Sequence, residues 1–307
     1  MQRRKFVHQS LLAGASVFAA SAVKAANDEK DLSVNADKPF NLNYAIHDGM
    51  FKNNGGKDFV DQIKYAYDLG FRSIEDNGMT GRSVEDQKKI GDTLTKLGMT
   101  MGVFVVDKGG NSANSLSTGK AEYLEIFLKG CRQAVEVAKR VNAKWVTVVP
   151  GNFERHLPIG IQTANVVDAL RKGAAILEPN NIVMVLEPLS DSPDLFLQTS
   201  DQTYEICKAV NSPSCKILFD MYHMQKNEGN MIHNIDLCWD EIAYFQIGDN
   251  PGRNEPTTGE VNYKNIFKHI YNKGYKGVLG MEHGNSQPGK EGEMALLKAY
   301  RDSDSFM

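Results

Sequence analysis

The feature that most constrains this chain is a repeated unit: an amphipathic helix, a glycine, then a short apolar run. Residues 58–69, DFVDQIKYAYDL, place Phe59, Ile63, Ala66 and Tyr67 at helical spacing, and Gly70 stops the helix before FRSIE. Residues 83–97, SVEDQKKIGDTLTKL, open on a capping serine, Ser83, and end at Gly98 before MTMGVFVV. A third unit runs as a helix from Tyr263 to Lys273, then Gly274, then GVLGME. Apolar runs at 42–46, 71–75, 100–106, 145–149, 182–187, 216–220, 242–247 and 277–282 make eight strands in all. The runs are continuous, not alternating, which is the pattern of parallel strands buried on both faces. Eight such βα units in one chain predict an α/β fold, the (β/α)8 TIM barrel. A doubly wound sheet would open with a glycine-rich phosphate turn, and HDGMFKNNGGKD after the first strand has no G-x-G-x-x-G.

In such barrels reactive groups stand at the C-terminal ends of the strands. The fifth strand ends at Glu187, the sixth at Asp220 with His223 three residues on, and the eighth at Glu282. The seventh carries Gln246, a primary amide inside an apolar run. Three carboxylates converging on one mouth repel unless a cation or shared proton intervenes. All four groups are oxygen donors, which suits Mn²⁺ or Mg²⁺, with Co²⁺ and Zn²⁺ as further candidates. Gln246 would then contribute its Oε as a neutral ligand. Taken singly, each acid also fits a helix cap or salt-bridge partner, His223 a packing histidine and Arg253 a solvated loop charge. His47 after strand one and Glu75 ending strand two are further candidates for substrate contact.

The N-terminus reads differently. MQRRKFVHQSLLAGASVFAASAVKAA has a basic start, an apolar middle and small residues before Asn27, the pattern of a secretory leader over residues 1–26. Arg3-Arg4 followed by Lys5-Phe6-Val7 resembles a twin-arginine signal, which predicts export to the periplasm without stable membrane association after cleavage. Residues 27–39 would be a linker and 40–307 a single barrel domain. The 307-residue chain carries a formal charge of −3, and losing the four cations of the leader takes it to −7. That balance argues against a nucleic-acid partner. Cys131, Cys207, Cys215 and Cys238 show no zinc spacing. Buried free thiols are expected, with Cys207–Cys215 the one pair open to a disulfide.

The stretches VLEPLS, ILFDMYHMQ, FQIGDNPGRNEPTTGEVNY and GVLGMEHG resemble the hydroxypyruvate isomerase family of xylose-isomerase-like barrels, whose fold also includes ketose 3-epimerases. The resemblance runs from about residue 40 to 300, strongest from 182 onward. It implies one divalent metal held at Glu187, Asp220, Gln246 and Glu282. It implies Glu187 and Glu282 as the acid–base pair, and His223 and Arg253 against the substrate. It also implies pairing or tetramer formation as a homo-oligomer. The leader and the loops HDGMFKNNGG and DKGGNSANSLSTGKAEY depart from it.

The expected substrate is a small sugar or keto acid. A cation polarising its carbonyl acidifies the adjacent C–H, one glutamate takes that proton, and a cis-enediolate results. Proton return to the neighbouring carbon is aldose–ketose isomerisation, of the hydroxypyruvate to tartronate semialdehyde type. Return to the opposite face is epimerisation. Strands five and eight lie three apart in a ring of eight, so either outcome is open. A hydride shift is disfavoured by the lack of a lysine placed near these ends. Alternatives are a ketose 3-epimerase, a keto-sugar lyase or dehydratase, and a non-catalytic periplasmic sugar-binding protein. An apurinic-site endonuclease, which binds three zinc ions through many histidines, fits poorly with seven His in the chain, one of them His8 in the leader.

Overall fold

The computed structural model describes residues 38–307. The leader, and the linker up to residue 37, lie outside the described residues. Eight parallel strands form one sheet in the order β3-β2-β1-β8-β7-β6-β5-β4. They are β1 (Asn43–Ile46), β2 (Ser73–Ile74), β3 (Thr100–Met101), β4 (Trp145–Val148), β5 (Val183–Leu186), β6 (Cys215–Asp220), β7 (Ile242–Gln246) and β8 (Val278–Gly280). The free edges of β3 and β4 meet through a parallel bridge between Val105 and Thr147. There the Val106 amide donates to Thr147 O at 3.0 Å and the Thr147 amide to Phe104 O at 2.8 Å. The sheet thus curls into a ring, the expected (β/α)8 topology and not an open doubly wound sheet.

Helices α1 (Phe59–Asp68), α2 (Val84–Leu97), α3 (Ala121–Val141), α4 (Ile159–Leu177) and α5 (Ser200–Val210) follow the first five strands in turn. Two helices, α6 (Met221–Asn227) and α7 (Met231–Cys238), separate β6 from β7, and α8 (Tyr263–Asn272) and α9 (Gly289–Asp304) complete the shell. The predicted caps form as expected: the Ser83 side chain accepts from the Asp86 amide, and Gly98 takes φ +66°. No helix among the described residues is long and apolar enough to cross a membrane. All four cysteines are buried free thiols.

The predicted strands at 71–75 and 100–106 shrink to two residues each. Pairing continues beyond them irregularly: the Glu75 amide reaches Ile46 O, Gly102 reaches Ile74 O and Asp76 reaches Val103 O. Gly102 is required where it stands, since a Cβ there would sit 2.2 Å from the Tyr244 hydroxyl. The barrel interior is packed by Ala45, Val103, Val185, Leu218, Tyr244 and Val278. Burying each of the larger aliphatic chains contributes about 1.5–3 kcal/mol. Outward-facing Tyr44 packs on Phe267 and Tyr300 of the shell, at ring distances of 5.2 and 5.0 Å.

Candidate active site

The C-terminal ends of β5 to β8 bring the predicted acids together. Asp220 ends β6 and also caps α6: its Oδ1 accepts from the Tyr222 amide at 2.7 Å, leaving Oδ2 for the barrel mouth. The helix-cap reading of that residue holds, and its second oxygen remains on the side of the acids. Glu187, one residue past β5, is 6% exposed, and its carboxyl accepts no hydrogen bond among the described residues. Glu282, two residues past β8, accepts from Asn77 Nδ2 through Oε1 at 2.6 Å.

Arg253 binds the cluster from above. Its Nη2 donates to Asp220 Oδ2 at 3.1 Å and to Glu282 Oε2 at 2.9 Å, and its guanidinium lies 4.7 Å from the centre of the Tyr222 ring. The Arg253 backbone is left-handed, with φ +51°, a conformation that costs a non-glycine residue energy and persists only when held. Here its amide donates to Asp249 O at 2.7 Å, and Asp249 accepts from the Gly259 and Val261 amides. The loop between β7 and α8 is therefore built around Asp249 and aims one side chain at the acids.

His223 is almost fully buried. The Ser190 amide donates to its Nδ1 at 3.1 Å, and Arg253 Nη2 meets its Nε2 at 3.2 Å. That nitrogen faces Asp220 Oδ2 at 3.5 Å and Glu187 Oε1 at 3.9 Å. Burial lowers the His223 pKa, so the ring is neutral at pH 7. Glu187, Asp220 and His223 each offer a donor atom within 4.8 Å of the others, while Glu282 lies across the Arg253 guanidinium.

The seventh-strand amide answers to Glu75. Gln246 Nε2 donates to Glu75 Oε1 at 2.7 Å, which turns its own Oε1 away. That Oε1 is buried and has no hydrogen-bond partner. A buried carbonyl oxygen left unpaired costs about 1–3 kcal/mol unless a ligand satisfies it. Glu75 is itself fully buried and also accepts from His47 Nε2 at 2.9 Å and from the Tyr244 hydroxyl at 2.7 Å. Gly280 makes room for it, because a Cβ there would lie 1.7 Å from Glu75 Oε2. Glu75, a candidate for substrate contact, is buried with both oxygens engaged, and it orients Gln246 and His47. Burial of the His47 ring works against its protonation, yet the charge and hydrogen bond of Glu75 together with the Glu282 and Asp76 charges more than offset it, and the His47 pKa is raised.

Electrostatics set the site apart. Burial first, then the Glu282 and Asp220 charges, push the Glu187 carboxyl well above its ordinary range. Burial, then Asp220 and Glu75, push Glu282 up to about 8. Burial opposes the Arg253 charge, but the surrounding carboxylates more than offset it and its pKa rises. The acids are short of positive charge even with Arg253 present. An unbonded carboxylate, an orphaned amide oxygen and two further carboxylates form an oxygen-rich donor set suited to a hard divalent cation.

Asn77, Tyr244 and Ser190 were not legible as site residues. Each acts through a partner on a distant strand, and sequence spacing holds no trace of that. A lysine stands past β3, away from the acid-bearing strand ends. Lys108 is buried, with its pKa lowered to about 8 by burial, and its Nζ donates to the carbonyls of Gly110, Asn111 and Ala113. It folds its own loop and does not reach the acids.

Comparison with known proteins agrees with this geometry. The profile of the xylose isomerase-like TIM barrel family matches residues 63–302. Hydroxypyruvate isomerase of Escherichia coli is 29% identical over 255 residues, covering 80% of this chain and 95% of that protein. A 2-oxo-tetronate isomerase of Cupriavidus necator is 26% identical over 245 residues, covering 79% and 93%. The solved 3-keto-D-glucoside 4-epimerase of E. coli superposes with a TM-score of 0.70 at 19% identity, covering 85% of this chain and 99% of that one. Ring of parallel strands, acids at the strand ends and matched sequence coincide, and the chain belongs to the xylose isomerase-like TIM barrel family.

Proposed function

We propose that this protein is a sugar isomerase of the hydroxypyruvate isomerase type, assisted by one divalent cation. The named isomerases among its relatives support the class of reaction. The observation that carries the reading is the buried Gln246 Oε1, which has no hydrogen-bond partner, on the strand between those that end at Asp220 and Glu282, with Glu187 clustered against Asp220. Glu187, Asp220, Gln246 and Glu282 would hold Mn²⁺ or Mg²⁺. When bound, that ion supplies Lewis-acid polarisation of a substrate carbonyl.

The protein's own groups do the rest. Glu187 and Glu282 arise from strands three apart in the ring and exchange a proton with adjacent substrate carbons. Burial and neighbouring carboxylates raise both pKa values, Glu282 to about 8, within the working range of an acid–base catalyst. Asn77 fixes the rotamer of Glu282 through Oε1. Arg253 presents donors to substrate oxygens, with His223 Nε2 beside its Nη2 and the Tyr222 ring packed on the guanidinium. Residues 1–26 assign this chemistry to the periplasm; cell fractionation of the wild-type chain and of an Arg3→Lys, Arg4→Lys chain tests that assignment.

The test of the reaction is proton NMR in D₂O with the Mn²⁺-loaded protein and hydroxypyruvate, then ketoses. Deuterium entering beside the carbonyl with aldose–ketose conversion supports the isomerase. Exchange with inversion at one carbon would assign a 3-epimerase. Absence of exchange with every compound would remove the reading.

A further inference from the structure

The loop between β7 and α8 carries two buried acids, Asp249 and Glu255, 1% and 2% exposed. Asp249 holds the loop to itself, through the Gly259 and Val261 amides. Glu255 instead reaches a neighbouring loop, the one after β8. Its Oε2 accepts from the Ser286 amide at 2.8 Å, and its Oε1 accepts from the Ser286 hydroxyl. Arg253, the one cation of the loop, pairs with Asp220 and Glu282 and not with Glu255. Taking a carboxylate out of water is costly, and two donors from one serine offset only part of that cost. What Glu255 joins must therefore matter more than its own burial.

The clamp extends the pairing of β7 with β8. In the sheet, Gln246 stands opposite Gly280. Beyond the strand ends the Gly284 amide donates to Arg253 O at 3.0 Å, and two residues further along both segments Glu255 meets Ser286. Pro256, next in the chain, has no amide to continue the ladder. A carboxylate thus supplies the cross-link that the backbone cannot.

On these two segments stand groups that have to meet. Arg253 lies two residues before Glu255, and Glu282 four residues before Ser286. Arg253 Nη2 touches Asp220 Oδ2 and Glu282 Oε2, and its Nε donates to Glu282 O at 3.2 Å. Those contacts last only while the two loops keep their spacing. The left-handed Arg253 backbone must also be held from outside. We infer that Glu255 is a positioning residue: clamped on Ser286, it fixes the loop after β7 against the loop after β8 and so sets the Arg253 guanidinium between Asp220 and Glu282. Its effect on turnover rests on the isomerase reading above; its hold on Arg253 does not.

Two measurements keep the clamp and the reaction apart. The first reads Arg253 in metal-free protein without substrate, by phenylglyoxal labelling resolved to single arginines by mass spectrometry. Labelling of Arg253 should speed up by at least ~5-fold in Glu255→Ala, and by less in Ser286→Ala, with the half-buried Arg82 and Arg301 unchanged. Should Glu255→Ala fail to fold, Ser286→Ala decides, because it removes one hydroxyl and keeps the amide. A wild-type rate at Arg253, or equal acceleration at Arg82 and Arg301, overturns the inference while the isomerase stands. The second is a mutant cycle in turnover by the Mn²⁺-loaded protein of hydroxypyruvate, or of the ketose that exchanges in its place. Glu255→Ala should lower kcat/KM by at least ~10-fold in the wild type, but by under ~2-fold when Arg253→Ala is already present. An equal loss in both backgrounds would show that Glu255 acts on stability alone and overturns the inference. If the wild type turns over no substrate, the isomerase reading falls and the labelling rates still decide the role of Glu255.

Discussion

The two halves of the barrel mouth differ in what their strands deliver. From β5 to β8, each strand sends one oxygen donor into the opening: Glu187, Asp220, Gln246 and Glu282. From β1 to β4, two strands are only two residues long and the polar groups serve others. Glu75 holds Gln246, Asn77 holds Glu282, and Lys108 holds its own loop. The loop after β1, together with the loop after β8, lines an open cavity of about 590 Å³ beside them. One half carries charge that is unfavourable without a ligand; the other supplies orientation and room. Dividing the work in this way keeps the strained electrostatics to one side, where the Arg253 loop also lies.

The comparison breaks most sharply at the acid pair. Glu282→Gln or Glu187→Gln should lower kcat by ~10²–10⁴ with the circular dichroism spectrum retained; activity within threefold of wild type would remove the acid–base assignment. Metal affinity comes next. Gln246→Leu should weaken Mn²⁺ binding by ~10–100-fold in a calorimetric titration, and Glu75→Gln, which acts through that amide and also changes the partner of His47 and Tyr244, by a similar or smaller factor. If Glu75→Gln left affinity untouched, the supporting role of the first half would fail.

A pH titration of stability sharpens the contrast further. Glu187 and Glu282 have raised pKa values in the folded protein, Glu282 at about 8. Between the ordinary carboxylate range and that value the folded state binds more protons than the unfolded chain, so metal-free stability falls as pH rises through this window. The Tm of metal-free protein should be lower at pH 8 than at pH 5.5, and the slope should flatten in Glu282→Gln. An unchanged slope would show that these acids are not the destabilising groups. The smallest effect is expected in the first half. Lys108→Met should cost about 1–3 kcal/mol of stability and expose the 107–115 loop to protease, with little change in metal affinity.

Much of this was readable from local pattern. Helix caps such as Ser83 and Gly98 and the continuous apolar runs predict the barrel, because strand burial and helix ends depend on near neighbours in the chain. Strand-end acids were legible because a parallel barrel puts every strand end on one face. The length of β2 and β3 was not, because ring closure and the Gly102–Tyr244 contact shorten them. The partners of Glu75 were not legible for the same reason: they depend on what crosses from strands β7 and β8.

The sequence by itself determined the alternation of strand and helix, the caps, and the set of oxygen donors at four successive strand ends. Only the tertiary structure decided which donors stay unpaired, since Gln246 Oε1 is free only because Glu75, 171 residues away, holds its amide nitrogen. It alone also decided that Arg253 sits among the acids and that a cavity opens beside them. The physical reason is that charge pairing and free volume depend on distances between side chains far apart in the chain, whereas helix caps and strand burial depend on residues close together.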